Sequence, residues 1–462
     1  MIGAGDEQRL AERVLDLVRA AEPAAEVEVA VSRNRLALTR FANSVIHQNV
    51  AEDTLGVHLT VHHEGRTVSG SSTGAEESGF QSLIERTVAS ARVAPLDPGW
   101  PGVAPPAEPG PVAEMDLATA EASPTVRAAL VGAFVEAAGG LETAGYCRTN
   151  HWSGAFVNSA GQAVAAESAD VGLVGIARRP GSDGVARAAS GRLADIDGTV
   201  LGARAAAKAN AGVDPVELPP DHYEVVLEPT AVADILEAFT VYGFNAKAVA
   251  ERRSFVRLGD DQFDAAIHLV DDAPAAGSAY DAEGTPHRRL VLVDGGTTVA
   301  LTHDLRTAAQ AGATSTGHSV GSAAFGAVAR HLNLLGSESG AVGAEVDGPV
   351  VDSAAAELVA GVERGVLVTD FWYTRVLDPR SLAITGLTRN GMWLVERGEV
   401  TTPLRNFRFT QSYAQALMPG AVRAVGRSVA AMPGDTYSAS MPRWTAPGLH
   451  LASWHFTGGA SG

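Results

Sequence analysis

Apolar residues recur at helical spacing from the start of the chain: Leu10, Val14, Leu17 and Val18 fall on one stripe of residues 6–21, which predicts an amphipathic helix. The period then shortens to that of strands, and three or four β segments are expected between residues 27 and 74. In the run Gly56-Val-His-Leu-Thr-Val61, Val57, Leu59 and Val61 share one face. A second helix over residues 78–91 places Phe80, Ile84, Val88 and Ala91 on one side. Residues 95–111 are crowded with proline and glycine and read as a linker or a wrapped loop. Ser123-Pro124 supplies an N-cap and a first-turn proline for a helix reaching Gly139-Gly140, with Val126, Leu130 and Phe134 inward. Short strands with a hairpin turn at Asn158-Ser-Ala-Gly161 follow, and an alanine-rich helix over residues 199–210 closes this part.

Asp214-Pro215 and Pro219-Pro220 mark a boundary. Beyond it the chain is β-rich, with strands expected at residues 223–227, 290–293, 366–369 and 392–396 and helices over residues 229–242 and 353–364. Strands do not alternate regularly with helices, which argues for an α+β fold over a doubly wound sheet. The expected division is an N-terminal α+β domain with antiparallel strands (1–112), a middle α+β segment (113–218) and a β-rich C-terminal domain (219–462).

Composition narrows the function. Hydrophobic residues make up 46% of the 462, enough for real cores. Acidic residues outnumber basic ones 53 to 35, giving a formal charge of −18, which argues against a nucleic-acid partner because a phosphate backbone needs a basic face. The single cysteine, Cys147, cannot form an intramolecular disulfide and suits a reducing compartment. The first residues lack the basic-then-apolar order of a signal peptide, and no apolar run approaches a membrane span. The expectation is a soluble cytoplasmic protein with no membrane partner.

The most specific stretch is Thr39-Arg-Phe-Ala-Asn-Ser-Val-Ile-His-Gln-Asn49. Phe41, Val45 and Ile46 alternate with polar residues as in two half-buried strands, and Asn43-Ser44 sits where a tight turn is easily made. The wording resembles the N-terminal signature of the TldD/PmbA family, whose members form two-subunit metallopeptidases. Arg253-Ser-Phe255, the stretch from Asp281-Ala-Glu-Gly to Leu290, Glu363-Arg-Gly-Val-Leu-Val-Thr369 and Gly391-Met-Trp-Leu-Val-Glu-Arg-Gly-Glu399 resemble further landmarks of that family, in order, across residues 25 to 450.

The resemblance implies a specific test. Zinc-bearing subunits of the family carry His-Glu-x-x-x-His on a helix, two imidazoles for the metal and a carboxylate as base, with a cysteine near the C-terminus. Here the matching lead-in is residues 225–236, so the histidine positions fall on Glu237 and Tyr242 and the glutamate position on Ala238. No histidine lies between His222 and His268, and no cysteine follows Cys147, including residues 426–437 where the ligand is expected. The chain therefore resembles the PmbA (TldE) side of the family. That implies no catalytic residue or metal in this chain, zinc in a TldD-like partner, a heterodimer, and a peptide substrate.

Other residues carry weaker signals. Gly317-His-Ser-Val-Gly321 fits a nucleophile elbow, with Ser319, His318 and Asp304 or Asp370 as ingredients, but loop-like residues precede it where the elbow needs a strand. His58, His62 and His63, and the pair His450 and His455, read as strand histidines. Trp372, Tyr373, Trp393 and Trp444 either pack in the core or line a groove. Two alternatives follow: a self-sufficient enzyme with non-zinc chemistry, or a homodimeric peptide-binding scaffold.

Overall fold

The computed structural model describes residues 4–73, 77–337, 350–433 and 443–459. Helix α1 (Ala4–Ala21) leads into β1 (Glu26–Ala42), β2 (Val45–His63) and β3 (Arg66–Thr73), then α2 (Glu77–Ala91), the short α3 (Leu117–Ala120) and α4 (Pro124–Ala137). Strands β4 (Glu142–Asn158), β5 (Ala163–Arg179) and β6 (Ser182–Ser190) follow, and α5 (Gly198–Ala211) ends this part. The strands form one antiparallel sheet ordered β3-β2-β1-β4-β5-β6. β1 pairs with β4 from Glu28 opposite Asn158 to Phe41 opposite Gly145, so residues on both sides of position 112 share a sheet.

Two apolar clusters cover this sheet. Val14, Leu15 and Val18 of α1 and Phe80, Leu83 and Ile84 of α2 pack on Val27, Val29, Val57 and Leu59. Phe134 of α4 and Leu201 and Ala205 of α5 pack on Phe41, Cys147 and Leu173. The spacing of α1 is off by two positions at one place: Leu15 is buried and Leu17 is 38% exposed. In α4, Val126 faces outward while Arg127 is buried, donating to the Ala122 carbonyl (2.7 Å) and to the hydroxyls of Thr39 (3.3 Å) and Thr149 (3.2 Å). A guanidinium with such partners occupies a core position that an apolar pattern assigns to its neighbour. The strands after residue 140 are long, 17 residues each for β4 and β5.

The hairpin of the N-terminal stretch turns at Asn43 (φ 51°) and Ser44 (φ 62°), two consecutive left-handed residues that match the twist of the flanking strands. The Ser44 hydroxyl donates to the Leu141 carbonyl (3.2 Å) and accepts from the Thr143 N–H (3.0 Å), docking the turn on β4. Phe41 is buried, but Val45 and Ile46 are exposed, because β3 pairs with β2 only from Gly56 to His63 and leaves the rest of β2 an edge.

The C-terminal part contains β7 (His222–Leu227), α6 (Pro229–Tyr242), α7 (Ala246–Ala250), β8 (Leu269–Asp271), β9 (Leu290–Asp294), β10 (Thr297–Thr298), α8 (Leu305–Ala311) and β11 (Leu332–Leu334). It continues with α9 (Ser353–Val359), β12 (Arg364–Asp378), β13 (Ala383–Glu396), β14 (Glu399–Pro403), β15 (Phe407–Ser412), α10 (Tyr413–Ala416), β16 (Val422–Pro433) and β17 (Arg443–Gly459). β17 pairs with both β15 and β7, so β7, β12, β13, β15 and β17 close into a ring. The helix expected over 353–364 stops at Val359, and Arg364 opens β12, whose Val366 and Val368 favour a strand. The architecture is α+β, and among the described residues no helix is long and apolar enough to cross a membrane.

Candidate functional site

Helix α6 follows β7 and packs on β12, β16 and β17 of the C-terminal part. Pro229 occupies its first turn, where no backbone donor is needed. Ile235, Leu236 and Phe239 face the core, while Thr230, Asp234 and Glu237 line a cavity of about 800 Å³. Its opposite wall comes from β4 and β5, through Gly145, Tyr146 and Val174. Asp234 accepts hydrogen bonds from the Tyr413 hydroxyl (2.5 Å) and the Thr374 hydroxyl (2.9 Å). Burial nonetheless pushes its carboxyl up to about 7, and Glu237 and Asp370 add like charge. Across the cavity Arg187 of β6 holds Asp370 through two hydrogen bonds of 3.1 and 2.7 Å, and the Asn390 amide donates to the same carboxylate (3.2 Å). Such a site can hold and exchange a proton near neutrality, beside a fixed ion pair.

A second cavity, about 1460 Å³, joins the first at Trp372, Tyr373, Arg389 and Asn390. The four aromatic residues of the sequence divide here. Trp393 and Trp444 are core residues, 1% and 5% exposed, while Trp372 and Tyr373 are 42% and 65% exposed and line the groove.

Ser319 lies in a loop behind irregular residues 313–316, without the strand an elbow requires. His318 Nδ1 lies 2.8 Å from the Thr316 carbonyl and 2.9 Å from the Thr316 hydroxyl, and its Nε2 lies 3.3 Å from Asp271 Oδ1. The two ring nitrogens thus face Thr316 and Asp271, and among the described residues neither hydrogen-bonds the Ser319 hydroxyl as a base would. The Ser319 hydroxyl accepts instead from the Gly321 N–H (3.2 Å). Asp304 caps α8 through the Thr307 N–H (2.7 Å), and Asp370 sits in the α6 cavity, so these residues are not assembled around Ser319. A serine-directed phosphonate is expected to leave Ser319 unlabelled by intact-mass analysis; labelling abolished in Ser319→Ala would contradict this geometry.

The other histidines singled out in the sequence lie apart from one another's clusters. His62 stacks on Trp100 (centroids 4.8 Å apart) with Nδ1 2.8 Å from the Thr67 hydroxyl, and His63 lies 3.8 Å from Glu22. His58 is on the exposed side of β2. His450 meets Glu224 at 2.5 Å, and His455 stacks on His222 (4.3 Å). Cys147 is buried in β4, and burial pushes its thiol up to about 12, away from thiolate chemistry. Among the described residues no group of three His, Cys, Asp or Glu side chains is placed to hold a metal ion. Residues 434–437 of the expected cysteine region lie outside the described residues.

Residues 220–453 match the model of the PmbA/TldA metallopeptidase C-terminal domain, just over half of the chain, and residues 27–91 match that of domain 1. The chain belongs to the PmbA/TldD metallopeptidase family. No curated protein sequence matches it. Among solved structures it is similar to TldE from Thermococcus kodakarensis (17% identity, TM-score 0.80, covering 99% of this chain and 100% of the other). It is also similar to two proteins titled as candidate modulators of DNA gyrase. One is from Thermotoga maritima (18%, 0.79, 96% of this chain and 100% of the other), and one from Bacteroides thetaiotaomicron (18%, 0.77, 98% and 99%). At these identities the likeness establishes a shared fold.

Within the PmbA/TldD frame, the structure places the three motif positions separately. Glu237 faces the cavity, Ala238 is 9% exposed against the core, and Tyr242 packs on the same core cluster. Only one of the three reaches the cavity, and it is a carboxylate. These residues do not fit a zinc site of the His-Glu-x-x-x-His kind. Asp234 and Tyr413 went unnoticed in the sequence because their pairing joins positions 179 residues apart, with no local pattern to announce it.

Proposed function

We propose that this chain is the non-catalytic subunit of a PmbA/TldD-type peptidase, pairing with a zinc-bearing homologue that cleaves or processes unfolded peptides. The observation that carries the reading is α6 itself: where the motif calls for a base, Ala238 is sealed in the core, and where it calls for a second imidazole, Tyr242 fills apolar space. Neither position lends a proton acceptor to bound water. The chain's own contribution is then positioning: a groove of cavity-lining aromatics and guanidiniums, and a carboxyl, Asp234, that holds its proton up to about pH 7.

Purified alone, the chain should carry no stoichiometric zinc and no peptidase activity. Mixed with a homologue bearing His-Glu-x-x-x-His, it should form a one-to-one complex containing zinc, measured by metal analysis and light scattering. Glu237→His should leave the isolated chain inactive, since Ala238 and Tyr242 still supply neither base nor ligand. Stoichiometric zinc or peptide hydrolysis in partner-free protein would overturn the proposal.

A further inference from the structure

The groove at Trp372 gathers guanidiniums and exposed aromatic rings on an otherwise acidic protein. Trp372 and Tyr373 are consecutive, both exposed, and the pairing of β12 with β13 is irregular between Trp372 and Arg375. Tyr373 adopts a left-handed backbone (φ 54°), a costly conformation for an aromatic residue and one concentrated at functional positions. The guanidinium of Arg389 lies 4.5 Å from the Trp372 ring centre, and that of Arg375 lies 5.5 Å from Tyr373. Stacking holds a guanidinium by its face and leaves its N–H edge free to meet a carboxylate.

The charge around the larger cavity points the same way. Its lining includes Arg178, Arg179, Arg389 and Arg405 against Glu142 and Asp183. Arg178 is committed to Asp183 (2.7 Å), whereas Arg179 donates to the neutral Asn210 carboxamide (2.9 Å) and Arg389 stacks on an indole. Two guanidiniums thus face the groove without a carboxylate among the described residues, in a chain of formal charge −18. At about 1460 Å³ the cavity exceeds the roughly 300–1,000 Å³ usual for small-molecule sites, so a chain segment suits it better than a metabolite.

We infer that this groove binds an extended peptide segment carrying acidic side chains, with its carboxylates on Arg179 and Arg389 and its apolar or planar groups on Trp372 and Tyr373. The inference rests on the peptide-handling reading only for the ligand being a peptide; the charge preference comes from the groove. Single-stranded nucleic acid shares the need for cations and stacking surfaces. Two uncommitted guanidiniums on a strongly acidic chain favour the sparser charge of a peptide over a phosphate at every residue.

The test uses the full chain alone, so it is independent of whether a zinc-bearing partner exists. A dye-labelled peptide alternating glutamate and phenylalanine, and its lysine counterpart, are titrated by fluorescence anisotropy at low and high salt. The glutamate peptide should bind more tightly, and its affinity should fall with salt. Arg179→Ala with Arg389→Ala should weaken it at least ~tenfold, about 1.4 kcal/mol. Arg179→Glu with Arg389→Glu should transfer the preference to the lysine peptide, a gain that a misfolded variant cannot mimic. Equal binding of both peptides, no effect of either double variant, or displacement of the glutamate peptide by an unlabelled oligonucleotide more readily than by itself would each overturn the inference.

Discussion

Replacing Lys208 by alanine should cost about 3–5 kcal/mol of stability, the range for breaking a buried ion pair from one side. Lys208 of α5 and Glu228 at the start of α6 are each 2% exposed at the side chain, and Nζ hydrogen-bonds the Glu228 carboxylate. The other Glu228 oxygen accepts from the Asp352 N–H (2.7 Å), and Arg204 of α5 holds the Asp352 side chain (2.6 Å). One carboxylate thereby fastens α5 of the first sheet's layer to the N-terminus of α6, where the helix dipole also favours negative charge. Burial pushes the Glu228 carboxyl up, and Lys208 opposes that shift; without the ammonium the carboxylate is buried with one backbone donor. Urea titration at neutral pH measures the loss. Lys208→Met combined with Glu228→Gln should recover much of it, because both charges leave together. A Lys208→Ala protein within about 1 kcal/mol of the parent, the worth of an exposed pair, would show that the strut contributes little.

How far such features can be read from sequence depends on whether they are local. The bounds of α6, its first-turn proline and the stripe Phe80, Ile84, Val88 follow from spacing within a few residues, and all are found. The turn at Asn43-Ser44 was legible because asparagine tolerates left-handed backbone and serine is a common turn residue. Arg127 was not, since its partners Thr39 and Thr149 come from two strands distant in sequence. Nor was the pairing of β1 with β4, or the closure of the ring by β17 on β7, because neither leaves a periodic trace. The same holds at the site. The absence of motif residues at 237, 238 and 242 is a local fact, whereas Asp271, the true partner of His318, had no sequence signal beyond a polar end to the run Leu269-Val-Asp271. The exposure of Trp372 and Tyr373, against the burial of Trp393 and Trp444, is likewise a tertiary outcome that composition does not encode.

Protonation should stabilise the fold across a pH window that ordinary acidic surfaces do not sense, and Glu28→Gln should remove much of that dependence. Glu28 of β1 is 9% exposed and faces Asp281 and Glu283, which lie between β8 and β9. Asp281 accepts from the N–H groups of Glu283 (2.9 Å), Thr285 (2.9 Å) and Ser319 (2.8 Å), yet burial pushes its carboxyl up to about 6. Burial pushes Glu283 up to about 8, with Asp281 adding to it, and Leu305 N–H bonding (2.9 Å) opposes the shift. Burial, then Glu283, Asp281 and Glu26, push Glu28 up to about 8 from 4.5. Between those two values the folded chain binds a proton at Glu28 that the unfolded chain has lost, so stability falls as pH rises through the window. At about 1.4 kcal/mol per pH unit for one such proton, and with the three carboxyls sharing their repulsion, Glu28→Gln should stabilise the protein at pH 8 by on the order of 2–4 kcal/mol. Below 4.5 the gain should vanish, because both states are then protonated. Urea midpoints measured across this range give the slope directly. Parallel curves for parent and Glu28→Gln would mean the carboxyl titrates normally and that the contact between β1 and the Asp281 loop is open to water. A flattened curve would assign the titrating proton to Glu28, at the contact between β1 and the Asp281 loop.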